Sequence, residues 1–209
     1  MNDFNALTTW VQPQHLATSA IDGYRADFES RTVHMLHITD FLKADKVTRL
    51  ARFFGQEATF NQIYGLYATD GGIKGKRVSA DGWRAADKGS RWYTYGLLAD
   101  PDPRFRFSPN LITCLDLYRV LVTSAFRAYV SALTGLPLGD FLNHVAMQMR
   151  PGDFLGPHSD DGEGRRLAIV FYLSPAWKAD YGGVLHTSLG RMTNISRSRP
   201  PSTASSCLM

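Results

Sequence analysis

The pattern of apolar residues changes near Pro137, and this change limits the fold classes open to the chain. Before it, Ser108-Pro109 has the form of a helix N-cap followed by proline at the first helical position, and apolar residues recur at helical spacing up to Gly135. After it, apolar and polar residues alternate over residues 145–149, as they do in strands. We therefore expect a helix over residues 112–133, a β-rich second half and an α+β fold.

Local signals predict further elements. Thr39-Asp40 has the form of an N-cap ahead of a helix over residues 40–54, and residues 58–67 are rich in the aromatic and other types that favour strands. Asp70-Gly71-Gly72 and Pro151-Gly152 both predict turns. The uninterrupted apolar run over residues 167–173 predicts a fully buried strand.

Length and composition indicate one core, because the chain has 209 residues of which 44% are hydrophobic. The formal net charge of +4 is spread along the chain, so we expect no nucleic-acid partner. The longest apolar run is about a third of the roughly 20 residues that a membrane helix needs, and residues 1–10 lack an export signal. Cys114 and Cys207 have no partner motif that would indicate a disulfide framework or a zinc site. We expect a soluble, cytoplasmic protein with no membrane partner.

His158 and Asp160 form the one pattern in the chain that predicts specific chemistry. On an extended segment, residues two apart point to the same face, so both side chains can reach one metal ion. Imidazole and carboxylate suit Fe(II), and two histidines plus one carboxylate leave coordination positions for a chelating cosubstrate and oxygen. By itself, however, a His-x-Asp triplet also describes a loop histidine beside a solvated acid.

The residues around this pair occur in a recognisable order. Arg150-Pro151-Gly152-Asp153 precedes the pair, and Arg165 or Arg166 opens the apolar run that ends Phe171-Tyr172-Leu173-Ser174. Trp177 follows, and then Gly182-Gly183-Val184-Leu185. This order, over residues 141–189, resembles the prolyl-4-hydroxylase-like branch of the Fe(II)- and 2-oxoglutarate-dependent dioxygenases. The resemblance implies a distorted double-stranded β-helix, which is a jelly-roll, cupin-like core, backed by the N-terminal helices.

The resemblance also implies a reaction and its cofactors. In this family Fe(II) binds 2-oxoglutarate and oxygen, decarboxylation yields succinate and carbon dioxide, and an unactivated C–H bond of the prime substrate is hydroxylated. For this chain it implies His158 and Asp160 as metal ligands, 2-oxoglutarate as cosubstrate and ascorbate as an accessory. Met149 stands where many relatives have a tyrosine that helps to hold the cosubstrate, and Tyr172 and Tyr64 are candidate replacements. The expected substrate is a small molecule or a peptide, of the peptidyl-proline or amino-acid type.

The chain departs from the family pattern towards its C-terminal end. The family supplies a second histidine ligand several tens of residues after the first pair, and a basic anchor for 2-oxoglutarate beyond it, but no histidine follows His186 here. His186 comes directly after the Gly-Gly element, where the family places no ligand, so we expect an exposed strand residue. We expect His144 to be a structural histidine.

The last twenty residues carry a separate hypothesis. We expect residues 1–189 to form a single dioxygenase-like domain and residues 190–209 to be an irregular, non-native tail that is translated out of frame. The last strands, the second histidine and the basic anchor would then be lost, and this loss would impair catalysis.

Two other interpretations stay open on the sequence alone. A non-catalytic jelly-roll binding module would explain the missing ligand, although the retained His158 and Asp160 argue against it. A nucleic-acid-binding protein would depend on Arg191, Arg197 and Arg199, for which a solvated tail is the simpler explanation. Succinate formation that requires Fe(II) and 2-oxoglutarate would distinguish the oxygenase from the binding module.

Overall fold

The computed structural model of the chain describes residues 4–68, 75–140, 143–158, 164–175, 177–188 and 195–198. The contacts divide the chain into two compact units. The helical unit comprises residues 1–57, 104–142 and 166–209, and the sheet unit comprises residues 58–103 and 143–165. Each unit is therefore assembled from stretches that are far apart in the sequence.

Helices and antiparallel strands form the regular structure of the described residues. The helices are α1 (Pro13–Leu16), α2 (Thr18–Ser30), α3 (Ala44–Arg52), α4 (Ala80–Ala85), α5 (Pro109–Leu121) and α6 (Ser124–Thr134). The strands are β1 (Phe60–Tyr67), β2 (Gly75–Val78), β3 (Arg91–Leu98), β4 (Met147–Gln148), β5 (Phe154–Leu155), β6 (Leu185–Ser188) and β7 (Ile195–Ser198). The larger sheet has the order β2-β1-β3-β4, with β5 also paired to β3, and β6 pairs with β7. This mixture of helices and antiparallel sheet confirms the α+β part of the predicted fold.

The helical unit is built around a core of large side chains. Phe41, Leu50, Phe53, Tyr129 and Leu133 are all at most 1% exposed. These residues come from α3, from α6 and from the segments next to α3, and α2 packs against α6 while α3 packs against α5. Among the described residues, no helix has both the length and the apolar character needed to span a membrane.

The prediction of one long helix over residues 112–133 is wrong, because the structure has two helices there, α5 and α6. Its two ends are as expected, because the Ser108 hydroxyl accepts a hydrogen bond from the Asn110 N–H and Gly135 ends α6 with a φ of 71°. The helix nevertheless breaks after Leu121, where the extended Thr123 accepts from the Phe126 N–H through its hydroxyl and so starts α6. A threonine can cap a new helix in this way without interrupting the apolar periodicity.

The helix predicted over residues 40–54 begins later than expected. It starts at Ala44, and Lys43 occupies the N-cap position without a capping side chain. Asp40 is not the cap but has a φ of 51°, and the buried Leu42 pairs with Val11 in an isolated β-bridge. Burial of Phe41 and Leu42 therefore outweighs the polar signal at Asp40. A short π-helical turn over Phe53–Glu57 follows α3.

Strand predictions from the sequence had mixed outcomes. The strand over residues 58–67 is confirmed as β1, and the alternating residues 145–149 contain the two-residue strand β4. Residues 167–173 are not a buried strand, because most are half-buried and none is in a strand pairing among the described residues. Apolar composition does not make a strand where no neighbouring strand satisfies the backbone.

Two further predictions fall wholly or partly on residues outside the description. Asp70-Gly71-Gly72 lies outside the described residues, as does most of the segment 190–209. Within that segment, residues 195–198 form β7, where the sequence indicated no strand.

Candidate metal centre

The predicted Pro151-Gly152 turn lies in the sheet unit between β4 and β5. The Asp153 N–H donates to the Arg150 carbonyl oxygen at 2.9 Å, and Gly152 has a φ of 91°, which are the features of a type II turn. In return, Asp153 Oδ2 accepts the Arg150 N–H at 2.9 Å. The Arg-Pro-Gly-Asp motif thus forms a turn with two hydrogen bonds between Arg150 and Asp153, and β5 begins directly after it.

A glutamine that sequence reasoning missed ties this turn to the sheet. Gln62 on β1 donates from Nε2 to Asp153 Oδ1 at 2.6 Å and to Thr94 Oγ1 at 2.8 Å. An amide nitrogen carries two hydrogens, so both bonds form at once. Because Gln62 and Asp153 are 91 positions apart, no local pattern could indicate the contact.

Two backbone contacts hold the chain that leads from β5 to His158. The Gly156 N–H donates to the Trp92 carbonyl oxygen at 2.7 Å, and Tyr67 Oη donates to the Pro157 carbonyl oxygen at 3.1 Å. Burial raises the pKa of Tyr67, so its hydroxyl keeps the donated proton at neutral pH. The backbone on the N-terminal side of His158 is therefore fixed to β1 and β3.

The His158 imidazole has a defined orientation. Its Nδ1 lies 3.0 Å from the Gly156 carbonyl oxygen. A carbonyl oxygen can only accept, so Nδ1 carries the hydrogen and the lone pair of the neutral ring lies on Nε2. A histidine that binds a metal through Nε2 needs this tautomer, held by a hydrogen bond from the other nitrogen. The exposed His158 thus has the donor chemistry of a metal ligand.

The other predicted site residues have different outcomes. Asp160 lies outside the described residues, and Tyr172 is half-buried in the helical unit. His186 is exposed on β6, as predicted, and pairs in register with Arg197. His144 is exposed just before β4. In the part of the chain that the structure describes, no three His, Cys, Asp or Glu side chains form a metal-binding group, and the pairing of His158 with Asp160 stays a prediction.

Tyr64, the second candidate for holding the cosubstrate, packs within the sheet unit. It lies on β1, and its ring centroid is 5.5 Å from that of Trp83 on α4. The Arg91 guanidinium covers the same indole at 4.2 Å from its centroid. Tyr64 therefore has the surroundings of a packed aromatic residue.

Comparison with known proteins gives matches on the same stretch that carries the motifs. Residues 145–207 match the family model of the 2OG-Fe(II) oxygenase superfamily. The chain is also 37% identical over 71 residues to prolyl 3-hydroxylase OGFOD1 of Mus musculus. That alignment covers 34% of this chain and 13% of the length of the mouse protein. The motif order and both matches agree, and they show that the C-terminal part of the chain is similar to prolyl-hydroxylase-like proteins of the 2OG-Fe(II) oxygenase superfamily.

Proposed function

We propose that the chain is built as an Fe(II)- and 2-oxoglutarate-dependent dioxygenase that hydroxylates an unactivated C–H bond, with His158 and Asp160 as metal ligands. The observation that supports this most is the orientation of His158, whose Nδ1–H bonds the Gly156 carbonyl within the family-matched segment. The mouse relative is named a prolyl 3-hydroxylase, so a peptidyl-proline or amino-acid type substrate is part of the proposal. Bound Fe(II) and 2-oxoglutarate would supply the oxidising chemistry.

In this proposal the described residues position the site. Asp153 and Gln62 fix the turn that precedes β5, and Tyr67 fixes the Pro157 carbonyl next to His158. These contacts hold the backbone that leads to His158, and the hydrogen bond from Nδ1 to the Gly156 carbonyl oxygen orients the imidazole itself. A ligand that is already oriented binds a metal at a lower entropic cost. A double-stranded β-helix around the site, with Tyr172 near the cosubstrate, is part of the same proposal.

We also propose that catalysis by this chain is impaired. No histidine follows His186, and the family's third protein ligand comes from such a position. Two protein ligands bind a divalent metal more weakly than three, and without the basic anchor 2-oxoglutarate loses a charged contact. The alternative is a non-catalytic jelly-roll binding module, which the same missing histidine favours.

Metal titration of the full chain tests the site separately from turnover. We expect Mn(II), followed by electron paramagnetic resonance, to bind the chain weakly, and His158→Ala and Asp160→Ala each to weaken binding at least about tenfold. His37→Ala is the matched control, because His37 is exposed and lies outside the motif. His186→Ala should also leave binding unchanged. Loss of binding only in His186→Ala, or equal binding by all variants, would contradict the assignment.

Succinate formation then distinguishes the two functions. Slow, Fe(II)-dependent and 2-oxoglutarate-dependent succinate formation, lost in His158→Ala, is the expected result. Metal binding without succinate at saturating iron would favour the binding module. Turnover at a rate typical of intact enzymes, on the order of 1–10³ per second, would contradict the impairment.

The nucleotide sequence beyond the codon for Gly190 tests the tail hypothesis. We expect another reading frame to encode a hydrophobic strand followed by a histidine and a basic residue. If no frame encodes such a histidine, the hypothesis of an out-of-frame tail is wrong.

A further inference from the structure

Helix α5 has apolar side chains on two faces, one buried and one exposed. The buried face packs in the helical unit through residues that are at most 8% exposed, namely Leu111, Cys114, Leu117 and Leu121. The other face carries apolar residues that are between 45% and 58% exposed, namely Ile112, Leu115 and, at the C-cap position, Val122. A helix that is apolar all round is normally buried all round. The exposed face of α5 therefore has the composition of an interface.

This exposed face distinguishes α5 from the other helices. In the part of the chain that the structure describes, the other α-helices carry no large apolar side chain that is exposed. Single exposed apolar residues are common on protein surfaces, whereas several on one face of one helix indicate an interaction site.

The residues of this face follow the spacing of a coiled-coil seam. Ile112, Leu115, Arg119 and Val122 are three, four and three positions apart, as the a and d positions of a heptad are. We call these four residues the α5 seam. Arg119 has 79% of its side chain exposed, and its Nη1 pairs with Oδ1 of Asp116 at 2.9 Å. The seam therefore combines an apolar stripe with an accessible charge pair.

An antiparallel pair of α5 helices makes this seam complementary to itself. If the two-fold axis is level with residue 117, Ile112 lies opposite Val122 of the second copy, and Leu115 lies opposite its Arg119. Asp116 is one position from the level of that arginine, which is about 1.5 Å along the axis. Each Arg119 then has an aspartate of both copies within reach, and its methylene groups cover a leucine. A parallel pair would instead place the two guanidinium groups side by side.

We propose that the α5 seam is a homodimer interface, in which two copies of the chain pair through antiparallel α5 helices. Charge complementarity selects a second copy over an apolar peptide or a lipid surface, because Arg119 would meet no acid on either of those. Residues 112–122 span only about 15 Å, so the interface belongs to the small and weak class. We expect a dissociation constant on the order of 10 μM. The inference goes beyond the proposed function, since no residue of the seam belongs to the proposed metal site.

Sedimentation equilibrium of the full chain tests the dimer. Over about 1 to 200 μM protein we expect a monomer–dimer equilibrium, and Leu115→Glu should weaken it at least about tenfold by placing a charge in the seam. Val145→Glu is the matched control, because Val145 is an exposed apolar residue of the sheet unit and should leave association unchanged. Circular dichroism checks that both variants keep their helices.

Charge reversal tests the pairing of Asp116 with Arg119. Arg119→Glu and Asp116→Arg should each weaken the dimer several-fold, because each gives four like charges around the axis, and the variant that carries both changes should recover it. Glu29→Arg is the control: it disrupts the comparable ion pair with Arg25 on α2 and should leave association unchanged.

Disulfide cross-linking tests the orientation of the helices. The double variant Ile112→Cys, Val122→Cys should form a covalent dimer on mild oxidation, because these positions face each other in the antiparallel pair. Ile112→Cys alone should not exceed the unchanged chain, which has Cys114 and Cys207, because its two copies lie about 15 Å apart along the axis.

Several results would overturn the inference. A chain that stays monomeric at every concentration is one, including a monomer in which another segment of the same chain protects α5 from hydrogen exchange. A dimer that Leu115→Glu leaves unchanged is another, because the interface would then lie elsewhere. Efficient cross-linking by Ile112→Cys alone would show a parallel pair and would contradict the charge pairing.

Discussion

The helical unit and the sheet unit are stabilised in different ways. Among the described residues, the buried large apolar side chains lie in the helical unit with the single exception of Ile63. The sheet unit depends on strand pairing, on the polar contacts of Gln62 and on partly exposed aromatic rings. The predicted ligand His158 lies in the unit with less apolar burial. A site that binds polar ligands needs accessible donors and acceptors, and a fully buried core cannot provide them.

The largest loss of folding stability should follow from replacing a large buried side chain of the helical unit by a small one. Phe41 is fully buried and its ring packs near those of Tyr129, His15 and Phe171. Phe41→Ala should lower the free energy of unfolding by about 3–5 kcal/mol, as measured by urea denaturation, because it removes apolar burial and leaves a cavity. Phe107→Ala, at a residue that is 75% exposed, should change it by less than about 0.5 kcal/mol. Similar losses in both variants would show that the helical unit lacks a tightly packed core.

A smaller and local effect should follow from Gln62→Leu in the sheet unit. The change removes the donor to Asp153 Oδ1 and the donor to Thr94 Oγ1, and it should cost about 1–3 kcal/mol because a carboxylate oxygen loses its partner. Amide hydrogen exchange should rise in β1, β3 and the turn at residues 150–153, and stay unchanged in α5 and α6. Gln56→Leu, at an exposed glutamine of the helical unit, is the control. If amide hydrogen exchange is the same in Gln62→Leu and in the unchanged chain, Gln62 does not position the turn.

The smallest effect that we expect is a dependence of the stability of the helical unit on pH. The buried His15 ring contacts Tyr24 Oη at 2.6 Å and the Asp40 carbonyl oxygen at 3.2 Å. Burial lowers the pKa of His15 below its ordinary value of 6.5, despite the opposing backbone hydrogen bonds. The unfolded chain therefore binds the proton more readily. The contribution of His15 to stability is complete above pH 6.5 and decreases as the pH falls from 6.5 towards the lower folded pKa.

Urea midpoints at pH 5 and pH 7.5 measure this dependence. His15→Gln should reduce the difference between the two midpoints, and His37→Ala, at an exposed histidine, should preserve it. If His15→Gln keeps the full difference, other groups carry the pH dependence.

Local signals in the sequence predicted the parts of the fold that depend on residues a few positions apart. Ser108 and Gly135 mark the outer ends of α5 and α6, and Pro151-Gly152 forms its turn. The predicted single helix failed at Thr123, because a hydroxyl that caps a helix leaves the apolar periodicity intact. The predicted buried strand over residues 167–173 failed because strand pairing needs a distant partner, which composition does not specify.

The amino-acid sequence alone indicated the similarity to the 2OG-Fe(II) oxygenases and the leading metal-ligand candidates, because the order of short motifs between Arg150 and Leu185 depends only on neighbouring residues. Only the tertiary structure decided which residues of the larger sheet contact that stretch. Gln62 reaches Asp153, Tyr67 reaches Pro157, and the bulge in β3 brings Trp92 beside Tyr93. Each of these contacts joins strands or depends on their register, and such distant pairing is fixed only when the whole sheet assembles.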